Sequence, residues 1–554
     1  MKTALPLPQN TNEIPPNNAQ TRQAFLDQIA SGTTPVYDAV IVGGGIVGAG
    51  AARDLALRGL KVALFEKGDY ASATSSKSSK LIHGGLRYLE MFDFGLVFEA
   101  LSERHWLLKT HPHLVLPLRF VLPLYKKGSG PSSGLRPGWM LRLGLWLYDT
   151  LALFRTPYFH GELSPEDVAR RFPGVQKAGL KAGLYYADAM MRDDELVLEC
   201  LSDAVRHGAA CANYTTVKSV SKRFGEGENA FYEVSLAESL PVYFQHNAPP
   251  VRQLKVRAKQ VIVCVGPWTD RMESVVAGGS GRKMKPSRGI HLVIPWSRFP
   301  IEDCMVMSAP DGRIVFVIPR KDYGAGAEAV IVGTTDAPER GDLDDVQATR
   351  AEVEYLLGQL AVFFPEAKLT AADVVTTYAG VRPLLDDGHA AEAKTSREHE
   401  IWRNDEGIVF VAGGKYTTFR PMSEEIGDFA FPGVKAGNSR APLSRPDEYA
   451  ARRQSTAGAT GKAGDRTPFL DGDTTLDWLK WVLRHQMPMT LCDMVFRRTT
   501  LWARGPALMQ KANVVQDVAA LMAAELGWSS ERQEQEIKAL EKALNATMSW
   551  RQTL

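Results

Sequence analysis

Residues Tyr37 to Asp69 read YDAVIVGGGIVGAGAARDLALRGLKVALFEKGD, and this stretch constrains the fold more than any other. YDAVIVGGG has the pattern of a buried strand running into a glycine turn, IVGAGAARDLALRGL that of a helix, and KVALFEKGD that of a second strand. A strand–helix–strand unit of about thirty residues is the size of a parallel crossover. Gly43, Gly45 and Gly48 match G-x-G-x-x-G. In such a loop the first glycine makes the tight turn, the second admits a pyrophosphate against the backbone, and the third lets the helix pack on the strand. The helix N-terminus then offers N–H groups and dipole to the anion. Glu66 ends the second strand about 23 residues after Gly43, where a carboxylate accepts hydrogen bonds from an adenosine ribose and disfavours a 2′-phosphate. A glycine turn without ligand is the plainer alternative. The complete context favours an ADP-containing dinucleotide, and the fingerprint alone does not separate NAD from FAD.

Two further features follow directly. Ser72 to Lys80, SATSSKSSK, is a hydroxyl-rich run suited to track an extended cofactor or simply to be a solvated loop. Lys80 to Glu90, KLIHGGLRYLE, sets His83, Arg87 and Tyr88 around a Gly-Gly pair that opposes helix by about 1 kcal/mol per glycine.

The chain has 554 residues, which implies two or three domains. Its 65 basic and 63 acidic residues nearly cancel, so no global field argues for nucleic acid. Five scattered cysteines without a C-x-x-C pair argue against a zinc site or disulfide framework and fit a reducing compartment. No uncharged apolar run reaches the roughly 18 residues of a membrane span. Residues 1–36 look like a loose leader lacking a signal-peptide core, with one short helix around Arg22–Ile29. Strand patterns recur at Gln260–Val265, His291–Pro295, Arg313–Pro319, Val330–Gly333 and Gly407–Val411. Separated by helical stretches, they predict an α/β fold whose nucleotide-binding part is assembled from distant segments. Residues 435–468 resemble a linker, and 469–554 show the spacing of a small, separate helical domain.

TSSKSSKLIHGGLRYLE, VGPWTD, IVGTTD, YAGVRPL and GIVFVAGGKYTTFR together resemble the FAD-dependent (aerobic) glycerol-3-phosphate dehydrogenase family, within the D-amino-acid-oxidase-like flavoproteins. The resemblance spans about Tyr37 to Pro421, with a weaker match around CDMVFRRTTLW. It implies a discontinuous Rossmann-like FAD-binding domain, about 37–110, 185–288 and 375–434. Substrate and membrane-contact parts, an inserted α+β domain, would occupy about 111–184 and 289–374. The implied reaction is oxidation of sn-glycerol 3-phosphate to dihydroxyacetone phosphate, with the C2 hydride passing to flavin N5 and electrons to a membrane quinone. It assigns His83, Arg382 and Lys415 to catalysis, His83 as proton acceptor or orienting donor. Arg87, Tyr88, Arg382 and Arg397 would hold substrate. Cofactor contacts fall on Gly43, Gly45, Gly48, Glu66, Lys67, Ser75, Ser76, Ser79, Lys80, Leu81, Gly266, Gly414, Lys415 and Thr417, with no metal. Thr417 and Thr418 are also read as caps of the next helix. VIVCVGPW departs from the family, whose members typically carry Asn-Ala-Thr-Gly there, although Gly266 is kept.

Residues 116–159 set Trp139, Leu143, Trp146, Leu147 and Phe154 on one helical face, flanked by Lys126, Lys127, Arg136, Arg142 and Arg155. That pattern fits an interfacial helix or a core helix with polar ends. The family's peripheral membrane attachment favours the first, at the cytoplasmic face of the cytoplasmic membrane; the resemblance also admits a homodimer. Alternatives are an oxidase using oxygen, a related flavoprotein acting on another hydroxy or amino acid, and a flavin-binding interaction module.

Overall fold

The computed structural model describes residues 15–86, 89, 92–126, 131, 137–224, 230–240, 252–276, 284–324, 327–386, 399–443 and 476–552. Arg87, Tyr88, Arg397, Lys127, Arg136 and most of the expected linker, 444–468, lie outside these residues.

Among the described residues two sheets carry the fold. In the eight-stranded sheet, Val62–Phe65, Tyr37–Val42, Gln253–Val263 and Val409–Gly413 lie side by side and parallel. Their registers align Val42 with Phe65 and Val263, and Val263 with Phe410, so three strands end at one level and Val409–Gly413 runs on past it. Ligands of such sheets bind beyond the carboxyl ends of the strands. Here those ends continue into Gly43, Glu66, Gly266 and Gly414. Val62–Phe65, Tyr37–Val42 and Val409–Gly413 are near-continuous apolar runs because both faces are covered, whereas Gln253–Val263 alternates exposed and buried positions until its last four residues. The discontinuous assembly expected from sequence is therefore observed.

The short helix expected around Arg22–Ile29 is present as α1 (Ala19–Ala30), and it covers one face of this sheet rather than lying loose. Asn18 and Thr21 form a capping box, Phe25 stacks on Phe65 at 5.7 Å, and Arg22 is buried. The Arg22 guanidinium donates to Asn213 O (2.9 Å), Tyr214 O (3.2 Å) and Glu238 Oε1 (3.1 Å). A buried cation with a full set of acceptors fixes this helix, which composition does not reveal. Helix α2 (Ile46–Leu57) packs on the other face.

The ten-stranded sheet stands over the strand ends. Ser287–Pro295 pairs antiparallel with Ala329–Gly333 and Thr376–Arg382, while Leu180–Met191 pairs with Val115–Tyr125 and Leu81–Ile82. Helices α3 (Phe94–Thr110) and α4 (Gly138–Leu151) flank it. The α4 side chains divide sharply: Leu145 and Tyr148 are buried, whereas Trp139, Leu143 and Trp146 are about 60% exposed. Phe154 and Phe159 extend the apolar surface. No helix among the described residues is long and apolar enough to cross a membrane.

The C-terminal helices, expected as a separate unit, instead share a hydrophobic core with α2 and the nucleotide-binding strands. Arg498 donates to Asp69 Oδ1 at 2.8 Å and also pairs with Asp69 Oδ2, as does Arg497. Thr376 and Thr547 share a 2.8 Å hydroxyl bond. These contacts join positions separated by 429, 428 and 171 residues, which local pattern does not register.

Candidate active site

The glycine turn is shaped by close approach. Gly43 has φ +110°, and a Cβ there would stand 2.4 Å from Cys264 O. A Cβ on Gly48 would stand 2.0 Å from Gly43 O, so α2 presses on the turn only because the side chain is absent. Ser75 Oγ accepts from Ile46 N–H at 3.0 Å at the start of α2. Glu66 accepts from Gly44 N–H (2.6 Å) and Gly68 N–H (2.8 Å), which fixes its carboxylate at the strand end. Burial pushes the Glu66 carboxyl up, and the Gly68 and Gly44 amides work against that rise.

Above this turn opens a cavity of about 940 Å³ between the two sheets. Of the expected cofactor residues, Gly43, Gly45, Glu66, Lys67, Ser75, Ser79 and Leu81 line it from the N-terminal segment. Gly266, Gly414, Lys415 and Thr417 line it from the distant strands. His83 and Arg382 lie on the same wall system. Three expected contacts do not line it. Gly48 supports the turn from behind, Ser76 Oγ donates to Ala73 O at 3.4 Å, and Lys80 is buried. The Lys80 ammonium pairs with Asp193 and donates to Ser76 O at 3.1 Å, satisfying a charge that would otherwise be costly to bury. Lys67 sits over the Trp268 ring at 4.3 Å and pairs with Asp344.

The hydroxyl-rich run is anchored to the strand Thr376–Arg382. Thr74 Oγ1 donates to Val381 O (2.7 Å), and Tyr378 Oη donates to Ser78 O (3.0 Å). Ser72, Thr74, Ser75, Ser78 and Ser79 all reach the cavity. Arg382 is oriented by Asp336 Oδ1 (3.2 Å), Thr334 Oγ1 (3.2 Å) and Thr335 O (3.0 Å). Gly413 and Gly414, at φ +78° and +85°, turn the chain so that Lys415 follows at the cavity edge. Thr417 and Thr418 do not cap the helix Phe419–Ala430 through their side chains; a 3-10 turn, Tyr416–Thr418, leads into it instead.

His291 escaped the sequence reading. A lone histidine in an apolar strand gives no local signal, yet it lines the cavity. Its Nε2 lies 2.9 Å from Ser79 Oγ, and its ring stacks on Tyr378 at 4.6 Å and 14°. Gly333 stands opposite, where a Cβ would come 2.2 Å from the imidazole. Burial, with Arg382 and Lys80 nearby, pushes His291 down to about 3, so the ring is neutral at neutral pH. Lys77 also lines the cavity, and burial beside Arg497 and Lys80 lowers its ammonium to about 8.

A cavity of this volume, floored by a glycine turn at a helix N-terminus and reached by a strand-end carboxylate, fits a flavin dinucleotide. The family described as FAD dependent oxidoreductase (DAO) matches residues 38–419. Fold and cavity thus define an FAD-dependent oxidoreductase. The chain is 36% identical over 396 residues to the aerobic glycerol-3-phosphate dehydrogenase of Bacillus subtilis, covering 72% of this chain and 67% of that one. It is 38% identical over 427 residues to the glycerol-3-phosphate dehydrogenase of Synechocystis, covering 74% and 73%. The chain belongs to the glycerol-3-phosphate dehydrogenase family of FAD enzymes. The glycerol-3-phosphate dehydrogenase of Bacillus halodurans, solved with FAD, shares the fold with a TM-score of 0.71 at 23% identity, over 96% of this chain and 98% of that one. The L-alpha-glycerophosphate oxidase of Mycoplasma pneumoniae, with FAD bound, matches 74% of this chain and 99% of its own at a TM-score of 0.53 and 19% identity.

Proposed function

We propose that this enzyme oxidises sn-glycerol 3-phosphate to dihydroxyacetone phosphate and delivers the electrons to a membrane quinone. The observation that carries the reading is the lining of one cavity by Arg382, Lys415 and His83 together with the glycine turn. When bound, FAD supplies the acceptor for the hydrogen on C2.

The chain's own groups do the rest. Arg382, held in direction by Asp336, offers its guanidinium to the phosphate dianion, where a charge-assisted contact contributes about 1.5–3 kcal/mol. Lys415 adds a second cation to the lining of the same cavity. His83, on the cavity wall, takes the C2 hydroxyl proton at an imidazole nitrogen. His291 stays uncharged and orients the substrate by hydrogen bonding, with Ser79 holding its Nε2. Arg87, Tyr88 and Arg397 complete the proposed phosphate seat from outside the described residues.

The exposed face of α4, with Trp139, Leu143 and Trp146, suits burial among lipid headgroups, and Arg142 lies on the same helix. Peripheral attachment at the cytoplasmic face of the membrane through 116–159 gives access to a lipid-soluble acceptor. The test compares turnover of glycerol 3-phosphate, lactate and amino acids with a short-chain quinone as acceptor. Fast quinone-dependent turnover of glycerol 3-phosphate alone supports the reading. Stoichiometric peroxide without quinone would replace the acceptor, and preference for another substrate would replace the donor.

A further inference from the structure

The strand Leu81–Ile82 pairs with Met190 and Ala189, and the pairing stops there. One step further the chain turns away as His83–Gly84–Gly85, with Gly85 at φ +75°. His83 lines the cavity, whereas the Gly84 amide points into the protein interior. A buried N–H that leaves its ladder must find another acceptor. Gly84 N–H donates to Tyr148 Oη at 2.9 Å, with a longer contact of 3.3 Å to Asp188 Oδ1. Tyr148 in turn donates to Asp188, whose oxygens lie 2.9 and 2.8 Å away. Arg104 Nη1 donates to Asp188 Oδ1 and to Ala187 O, both at 2.6 Å. Tyr148, Asp188 and Arg104 are each at most 1% exposed.

The donor directions are fixed. Burial beside Asp188 raises the Tyr148 phenol far above its usual range, so the hydroxyl keeps its proton, gives it to Asp188 and accepts from Gly84. The fit is also steric. A Cβ on Gly84 would stand 2.6 Å from Tyr148 Oη and 2.5 Å from Leu101 Cδ2, so the loop lies directly on the tyrosine.

We infer that Tyr148, set by Asp188 and Arg104, is a positioning residue that holds the His83–Gly85 loop at the cavity. It acts through Gly84 and touches neither substrate nor cofactor. The same helix presents Trp146 and Leu143 outward, so α4 joins the exposed apolar face to the loop that carries His83. The inference rests on the proposed role of His83 for its kinetic readout only.

Tyr148→Phe, made in the full-length FAD-loaded enzyme, removes the nearer acceptor and keeps the ring, leaving Gly84 N–H only the 3.3 Å contact to Asp188 Oδ1. Amide hydrogen exchange in the segment holding Gly84 is expected to quicken about tenfold, the worth of one buried hydrogen bond. Anaerobic flavin reduction by glycerol 3-phosphate is expected to slow about tenfold as well. Substrate affinity, flavin content and thermal midpoint should stay close to the parent. Leu145→Val, a neighbouring buried change in α4, should leave both rates alone. Asp188→Asn provides a second route to the same loosening if the first variant folds poorly. Unchanged Gly84 exchange in Tyr148→Phe, or equal effects from Leu145→Val, overturns the inference. If the parent enzyme is not reduced by glycerol 3-phosphate, the functional reading fails while the exchange result still decides the role of Tyr148.

Discussion

Nη2 of Arg382 lies 2.5 Å from the point where a Cβ on Gly289 would stand. The adjacent strands place Gly289 beside Gly380 and Ser287 beside Arg382, so the guanidinium folds back over bare backbone. The same Cβ would stand 2.4 Å from Thr334 Oγ1 and 2.9 Å from Thr335 O, so Gly289→Ala should displace Arg382 together with the Thr334–Thr335 turn that orients it, without touching the glycine turn. The expected outcome is weakened substrate binding with full flavin content, measured by substrate titration of the flavin spectrum. Unchanged affinity would show that Arg382 does not bear on the substrate.

Arg382→Ala removes the cation altogether. Substrate capture should fall about ten- to a hundredfold, the loss of one charge-assisted contact. Flavin retention should change far less, because Arg382 is oriented by Asp336, Thr334 and Thr335 on the upper sheet. Steady-state KM and the flavin-to-protein absorbance ratio report the two effects separately. Equal losses of flavin and substrate would misplace this residue.

His111 provides a pH test of the fold. It is buried, its Nε2 accepts from Leu443 N–H at 3.2 Å, and burial, with His113 and Arg53 nearby, pushes it down to about 3. An unfolded histidine takes its proton near pH 6.5, whereas this one does so only near 3. Its contribution is thus full above about pH 6.5 and is lost at about 1.4 kcal/mol per unit as pH falls between those values. The gap in thermal midpoint between the parent and His111→Gln should narrow from about pH 7 to about pH 5. A constant gap would mean that the histidine takes up its proton at the same pH in the fold as in the unfolded chain.

The outward face of α4 makes a separate prediction. Burying a large apolar side chain contributes roughly 1.5–3 kcal/mol. Leu143→Glu combined with Trp146→Glu should lower the fraction cosedimenting with phospholipid vesicles about tenfold or more. Turnover with a water-soluble acceptor should persist, since both side chains point away from the cavity. Unaltered vesicle binding would locate membrane contact elsewhere.

The parts of this site that sequence discloses are those encoded locally. Gly43, Gly45, Gly48 and Glu66 sit within one crossover unit, and their spacing carries the turn, the helix start and the strand end together. Arg382 and Lys415 emerge only through motifs shared with a family, since an isolated arginine or lysine ordinarily means a solvated surface. His291 gives no such sign; its meaning comes from Ser79, 212 residues away, and from Tyr378 across the sheet. Lys80 shows the opposite failure. It lies inside the cofactor motif, but Asp193 claims its ammonium from a separate helix. The C-terminal helices read as a separate unit because the apolar spacing is regular, while the Arg498–Asp69 pairing that joins them to the core spans 429 residues.

Anaerobic titration of the purified FAD-loaded enzyme with sn-glycerol 3-phosphate is the most direct test of the proposed chemistry. One equivalent of substrate should bleach the oxidised flavin absorbance and yield one equivalent of dihydroxyacetone phosphate. A flavin that stays oxidised at millimolar glycerol 3-phosphate, in protein that binds FAD and is folded, would contradict it.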